Sequence, residues 1–539
     1  MKRKPKKAAP AVHADSMPVP SNPAQRFAVP GKTGSRLVHS GLALVALLGM
    51  AAVLWATGPY GIGATSDSVQ YVSCARSLVN GEGFRNFEGA FVASWPPLFS
   101  AMLAVPALLG FEMLSAARYL QAFFLALAIY GTGLLSWEIR KTIWAALVGA
   151  LLVLVSDVMV RPCLLVWSEA FFNVLVTLFL LFLARYLKRG RPADGILLSV
   201  LAALACLQRY VGVMLVMALL CSVIVLKRDY SLKKRFAAAG AMCAAAVLPL
   251  ALWLLRNYRL TGTLSGPRGK SGVALGRNID RMLSTLTGWF FPVDTPLGTR
   301  LFVLLAVGIL LFSMYLLLSP APQTERPEIK NTRGLGGIVC FVVLYLAGML
   351  LLATIVSFDP INDRILAPVF VPIIVLILFA IDKVIRSCGR FYAPACCGIV
   401  VALIVWIAIV PAGNCWKVLS VKHRKGSSYT SRAWNTSPLV AWLKANPLEG
   451  VVYCNMPDAV YLQTGIVTRL SPRRRSDLRA FDKRISTFPD VYFVWCRNTY
   501  RTYLYNPRDM HKAGIKMRMI AKFKDGFVVR FMVPPRKPG

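Results

Sequence analysis

The chain has 539 residues, of which 56% are hydrophobic and only 16% charged, a composition too apolar for an ordinary soluble enzyme. Its 62 Lys and Arg against 24 Asp and Glu give a net charge of +38, which favours anionic partners. Long apolar runs, with no zinc-finger spacing and no RNA-binding aromatic signature, exclude a soluble nucleic-acid binder and leave phosphate at a membrane surface, anionic lipids included.

Residues 1–36 are rich in Pro, Ala and Lys without apolar periodicity, which predicts a disordered basic cytoplasmic tail. The apolar run 37–57 is longer than a signal-peptide core and reads as an uncleaved anchor. A long loop, Gly58 to Trp95, follows. Within it Asp67 to Asn80 places Val69, Val72, Ala75, Leu78 and Val79 on one helical face and stops at Gly81, which predicts an amphipathic helix resting on the bilayer. Asp67, preceded by Thr65 and Ser66, has two readings: a helix cap, or a general base at the outer membrane surface. Pro96 to Phe111 is short and contains Pro106, so it reads as a helix lying at the surface.

A span needs about 20 apolar residues, fewer when neighbours shield it. Further spans are expected near 114–136, 142–158, 163–187, 195–208, 210–226, 236–256, 300–319, 335–357, 365–381 and 394–413, eleven with the first. The run 195–226 is split at Gln208-Arg209-Tyr210, because one helix there would put one of its two basic loops on the wrong side. With Pro96 to Phe111 outside the count, Arg140-Lys141, the basic run Lys188 to Arg191, Lys227-Arg228 with Lys233 to Arg235, the Arg326 to Arg333 loop and Lys383/Arg386/Arg390 all fall inside. The N-terminus is then cytoplasmic and the C-terminus outside. Two outer stretches, 58–113 and 257–299, are longer than connection requires. From 414 to 539 helix-like and strand-like strings alternate (SPLVAWLKANP, GVVYCNM, VYFVWC, FVVRFMV), which predicts a small extracytoplasmic α/β domain.

Most of the twelve cysteines sit in apolar runs and read as small packing residues, whereas Cys454 and Cys496 share the polar C-terminal region and could pair in an oxidising compartment. The four histidines are far apart in sequence, which argues against a His-based metal site.

Several strings resemble a known group. Asp67-Ser-Val-Gln-Tyr71 with Gly81-Glu-Gly83-Phe84 and Trp95-Pro96-Pro97-Leu98 is similar to the first outer loop of the GT-C glycosyltransferases, nearest by eye to family 39, the group of the aminoarabinose transferase and the protein O-mannosyltransferases. Trp167-Ser168-Glu169-Ala170-Phe171, Leu207-Gln208-Arg209-Tyr210, Arg256-Asn257-Tyr258 and Asp363-Arg364-Ile365-Leu366-Ala367-Pro368 look like recurring segments of that group, and Val452 to Asp458 with Tyr461 to Gly465 is similar to the outer domain of some bacterial members. The resemblance implies a multi-pass helical GT-C fold in the cytoplasmic (inner) membrane. It also implies a transferase that moves a sugar from a polyprenyl-phosphate carrier, with inversion, to a lipid, glycan or protein acceptor on the outer face. Asp67 then corresponds to the catalytic acidic residue of the first loop, the general base. Protein O-mannosyltransferases carry adjacent acidic residues there, whereas Ser68 follows Asp67, which argues against protein mannosylation and leaves a divalent metal an open question.

The leaving phosphate needs stabilised charge, for which Arg is the preferred partner. Arg209, Arg256 and Arg364 at outer span ends are therefore candidate phosphate ligands, with snorkelling as the plain alternative. Glu169 is expected about two turns into a span, either paired with an arginine such as Arg161 or lining the donor cavity, while Tyr71, Asp157 and Asp363 are candidate cavity or acceptor residues. Competing readings are a polymerase or ligase using diphosphate-linked donors, a lipid-linked-sugar flippase or transporter, and a non-catalytic scaffold.

Overall fold

The computed structural model describes residues 32–291, 327–387, 393–497 and 501–532, with scattered positions between 298 and 308. The expected span at 300–319, most of the N-terminal tail and part of the 326–333 loop lie outside the described residues.

The membrane portion is built of helices α1 (Lys32–Ala56), α2 (Ser66–Val79), α3 (Leu98–Leu108), α4 (Met113–Arg140), α5 (Ile143–Leu154), α6 (Asp157–Cys163) and α7 (Glu169–Arg189). It continues through α8 (Pro192–Gln208), α9 (Val213–Leu226), α10 (Leu232–Thr261), α11 (Leu275–Gly288), α12 (Pro327–Ile355), α13 (Asp363–Leu366), α14 (Phe370–Ser387) and α15 (Ala393–Lys425). Among the described residues seven helices are long and apolar enough to cross a bilayer, eight if α5 and α6, bent by 56°, form one broken span. The protein is a multi-span membrane protein. The remaining expected spans, α8 and α9, fall short by length and are separated at Arg209, whose extended backbone (φ −151°, ψ 137°) leads into the 3-10 turn Tyr210–Gly212. Gly212 sits there because a Cβ would lie 2.4 Å from the Ala205 backbone.

Three local expectations are corrected. Helix α2 is not a one-faced helix lying on a bilayer, since Ser68, Tyr71, Ser73, Cys74 and Ser77 are buried along with Val69, Val72 and Ala75. Asp157 does not close the third span but opens α6 after Ser156. Glu169 is not two turns inside a span, because α6 and the Leu164–Ser168 turn take up the preceding residues and Glu169 becomes the first residue of α7. That turn is pinned by parallel pairing with the first loop, Gly63 N donating to Leu164 O at 3.0 Å and Val166 N to Gly63 O at 2.9 Å. A carboxylate at a helix start is favoured by the backbone dipoles.

Helix α15 runs to Lys425, past the expected boundary at 413. Beyond it lie α16 (Arg432–Asn435), α17 (Pro438–Ala445), α18 (Pro457–Thr464), α19 (Leu478–Ile485) and α20 (Pro507–Lys512). They flank a five-stranded sheet of β1 (Val451–Cys454), β2 (Arg469–Leu470), β3 (Val491–Cys496), β4 (Met517–Lys522) and β5 (Gly526–Phe531), in the order β2-β1-β3-β5-β4. Strand β1 pairs in parallel with β2 and β3, and β5 runs antiparallel to β3 and β4. Apolar residues cover both faces of the central strands: Tyr453, Phe493 and Phe531 on one, Val452, Val494 and Val528 on the other. The sheet domain docks on the first loop. Tyr429 N donates to Ala64 O at 2.9 Å, Phe87 stacks on Tyr461 with centroids 4.7 Å apart, and Arg76 Nη1 donates to the Tyr461 hydroxyl at 3.4 Å.

Candidate functional site

Four charged side chains from four distant segments converge at one end of the helices. Arg364, in the single turn of α13 capped by Asn362, donates to Asp67 Oδ2 at 2.5 Å and through Nε to Glu169 Oε1. Arg209, at the break between α8 and α9, pairs with the same Glu169 oxygen. The chain is therefore Asp67–Arg364–Glu169–Arg209, with Asp359 3.6 Å from Arg364 Nη1 at the exposed edge. Glu169 is buried, and its second oxygen, Oε2, has no hydrogen-bond partner among the described residues. A buried carboxylate between two guanidinium groups is tolerable because each charge is matched and directed. Glu169 thus pairs with Arg209 and Arg364, while Arg161 pairs with Asp157 at 2.8 Å.

The support beneath these charges comes from residues that the sequence did not single out for it. The Trp167 ring lies under the Arg364 guanidinium at 4.3 Å, and its indole N–H donates to Thr65 Oγ1 at 2.8 Å. The start of α2 is closed instead by Ser68, whose hydroxyl accepts from Thr65 N at 2.9 Å, so the Asp67 carboxylate is not the cap. The Ser168 hydroxyl contacts the Tyr71 hydroxyl at 3.0 Å and accepts from Arg209 at 3.2 Å, while Gln208 and Gln121 donate to the carbonyls of Ser168 and Trp167. Tyr71 is buried, and burial first, then the nearby Glu169 and Asp67 charges, hold its phenol well above the usual range. Burial also raises the Asp67 carboxyl above the ordinary carboxylate range, with Arg364 pulling the other way.

The remaining candidates lie elsewhere. Arg256 is not part of the ion chain: it donates to the carbonyls of Val92 (3.0 Å) and Phe84 (3.4 Å) and sits over Trp253, bracing the first loop. Asp157 and Asp363 line a separate cavity of about 630 Å³ with Arg161, Lys417, Lys422 and Trp289, the indole of Trp289 donating to Asp363 at 3.0 Å. Neighbouring residues Asp363 and Arg364 therefore serve two different places, the cavity and the ion chain. Lys417 and Lys422 carry no motif, and only the return of α15 past α6 brings them to the cavity. Among the described residues no three His, Cys, Asp or Glu side chains are arranged to hold a metal ion.

This architecture recurs among solved structures. ArnT from Cupriavidus metallidurans in the apo state superposes with a TM-score of 0.58 at 13% identity, covering 92% of this chain and 98% of that one. The same protein bound to undecaprenyl phosphate gives 0.56 at 13% identity over 93% and 98%. The archaeal oligosaccharyltransferase AglB from Archaeoglobus fulgidus, in complex with an inhibitory peptide and a dolichol-phosphate, gives 0.51 at 12% identity over 86% and 70%. The chain has the fold of the GT-C glycosyltransferases. Within it, residues 94–253 match the family described as dolichyl-phosphate-mannose-protein mannosyltransferase. No curated protein matches the chain in sequence.

Proposed function

We propose that the protein is a membrane glycosyltransferase that moves a sugar from a polyprenyl-phosphate carrier to an acceptor hydroxyl or amine on the outer face of the cytoplasmic membrane. The observation that carries this reading is the placement of Asp67, on a first-loop helix of a GT-C fold, against Arg364 and the buried Glu169. In this mechanism the acceptor gives its proton to Asp67 as its heteroatom attacks the anomeric carbon. The bond from that carbon to the carrier phosphate breaks with its electron pair on phosphate, and attack from the opposite side inverts the centre. Arg364 fixes the Asp67 carboxylate and stands beside the charge that develops, while the buried Glu169 holds both arginines in place.

The cavity beside Asp363 is the proposed seat of a lipid-linked substrate. Arg161, Lys417 and Lys422 supply cations for phosphate, and Trp289 with Val418 and Val421 supplies an apolar wall. The complexes of similar fold hold undecaprenyl phosphate and dolichol-phosphate, which supports a lipid monophosphate as the carrier class. The decisive experiment measures transfer of labelled sugar from a panel of polyprenyl-phosphate donors in membranes carrying wild-type protein or Asp67→Asn at matched expression. Transfer by wild type and its loss in the variant are expected. Transfer unchanged by the substitution removes Asp67 from the mechanism, and a copurifying lipid diphosphate identified by mass spectrometry redirects the reading to a polymerase or ligase.

A further inference from the structure

Nine cysteines are free thiols among the described residues, and most serve as small packing groups in the membrane helices. Cys454 and Cys496 differ in where they sit. Cys454 ends β1 opposite Val494, and Cys496 ends β3, the neighbouring parallel strand, two residues further on, so both lie at the same end of the sheet. Asn455 ties these two ends together: its amide donates to Cys496 O at 2.8 Å, and its carbonyl accepts from Cys496 N at 2.8 Å. Met456 N donates to Cys454 Sγ at 3.2 Å, and Cys454 Sγ lies 3.8 Å from the same Asn455 oxygen that accepts from Cys496 N. Both are buried in the apolar layer formed by Leu439, Leu443, Val460 and Val528.

We infer that Cys454 and Cys496 are a disulfide-forming pair in the mature protein. The inference rests on the outward placement of the C-terminal domain that the proposed function requires. The two thiols give up two protons and two electrons to a disulfide oxidant of the outer compartment, which is reduced to two thiols as the Sγ–Sγ bond forms. Burial sets the order of events. Oxidation precedes closure of α17 and α18 over this face of the sheet, after which the bond is shielded from soluble reductants. The linkage closes a long loop that contains α18 and α19, and α18 carries Tyr461, the residue stacked on the first loop next to α2. The crosslink therefore ties down the root of the element through which the domain holds the helix bearing Asp67.

A second pair gives the internal comparison: Cys340 on α12 also lies against Cys221 on α9, but within the membrane helices, out of reach of aqueous oxidants. The test is peptide mapping of full-length protein from membranes quenched with a membrane-permeant alkylating reagent and then unfolded without reductant. Linked peptides containing Cys454 and Cys496 that separate on reduction, with Cys221 and Cys340 alkylated, are the expected result. Complete alkylation of Cys454 and Cys496 in that sample overturns the inference. A protease added outside sealed, right-side-out membranes shows which premise failed. A cleaved domain with alkylated thiols refutes the pairing itself, whereas a protected domain with alkylated thiols refutes the outward placement. A Cys454→Ala, Cys496→Ala variant that is cleaved faster than wild type from outside supports the tie on α18; equal cleavage of variant and of linked wild type overturns that part.

Discussion

Asp67 and Glu169 are both carboxylates, yet the structure gives them different work. Asp67 is held by one guanidinium through one oxygen, while Glu169 lies buried between two. Asp67→Asn keeps the size of the side chain and removes the proposed proton acceptor, so transfer is expected to fall by about 100- to 10,000-fold with folding intact, read from initial rates at matched expression. Because burial raises the Asp67 carboxyl, transfer is lost as pH falls through that raised value, so the acid limb of the rate profile lies above about pH 4, the ordinary aspartate range. Arg364→Met removes the opposing attraction and moves the limb further up. The stability linkage has the opposite sense: a carboxyl raised by folding contributes most below its unfolded value, and that contribution is lost as pH rises through its folded value. Glu169→Ala strands two arginines and is expected to destabilise by about 3–5 kcal/mol, measured by thermal unfolding in detergent. Sequence alone reached Arg209 and Arg364 as charges at span ends, Glu169 as a charge expected inside a span, and Asp67 through its place at the start of a loop helix and the family resemblance. It could not pair them, since the partners are separated by up to 297 residues. Nor could it see that Arg256, at a similar span end, reaches backbone carbonyls of the first loop.

Among the elements, the breaks present the charged side chains of the candidate site. The α8–α9 break presents Arg209, the α5–α6 bend presents Asp157, and the one-turn α13 presents Asp363 and Arg364. Gly212→Ala places a methyl against the Ala205 backbone and is expected to cost about 1–3 kcal/mol, visible as a lowered midpoint of thermal unfolding together with weakened transfer, because Arg209 shifts with the turn. The Arg209 break was legible from basic loops on both sides of a long apolar run. The α5–α6 bend was not, because an apolar stretch interrupted by Ser156-Asp157 has the composition of an ordinary span end. The burial of α2 on most sides was equally hidden. Its small polar residues Ser68, Ser73 and Ser77 read as solvent-facing until the surrounding elements that cover them are known.

At the scale of the whole molecule, short polar and aromatic contacts among the described residues join the sheet domain to the membrane portion. Tyr461→Ala removes the stack on Phe87 and the acceptor for Arg76, a loss of about 0.5–1.5 kcal/mol for the aromatic pair, and is expected to quicken limited proteolysis after Lys425 without unfolding the helices. The apolar strings of β1, β3 and β5 announced a sheet, but β2 has two residues and β4 a largely exposed face, so neither left a period-two signal. The contact of that sheet with α2 joins segments nearly four hundred residues apart, and no local pattern encodes it. The short α13 has a further consequence. Asp363 and Arg364 share one peptide bond in a helix of four residues, one side chain at the cavity wall and the other gripping Asp67. That turn continues without a break through the 3-10 turn Ala367–Val369 into α14, so the spacing between the cavity wall and the ion chain is set by one peptide unit at the head of a long helix. The cavity wall and the Asp67 carboxylate are thereby held in one register, and a substitution that tilts this turn displaces both.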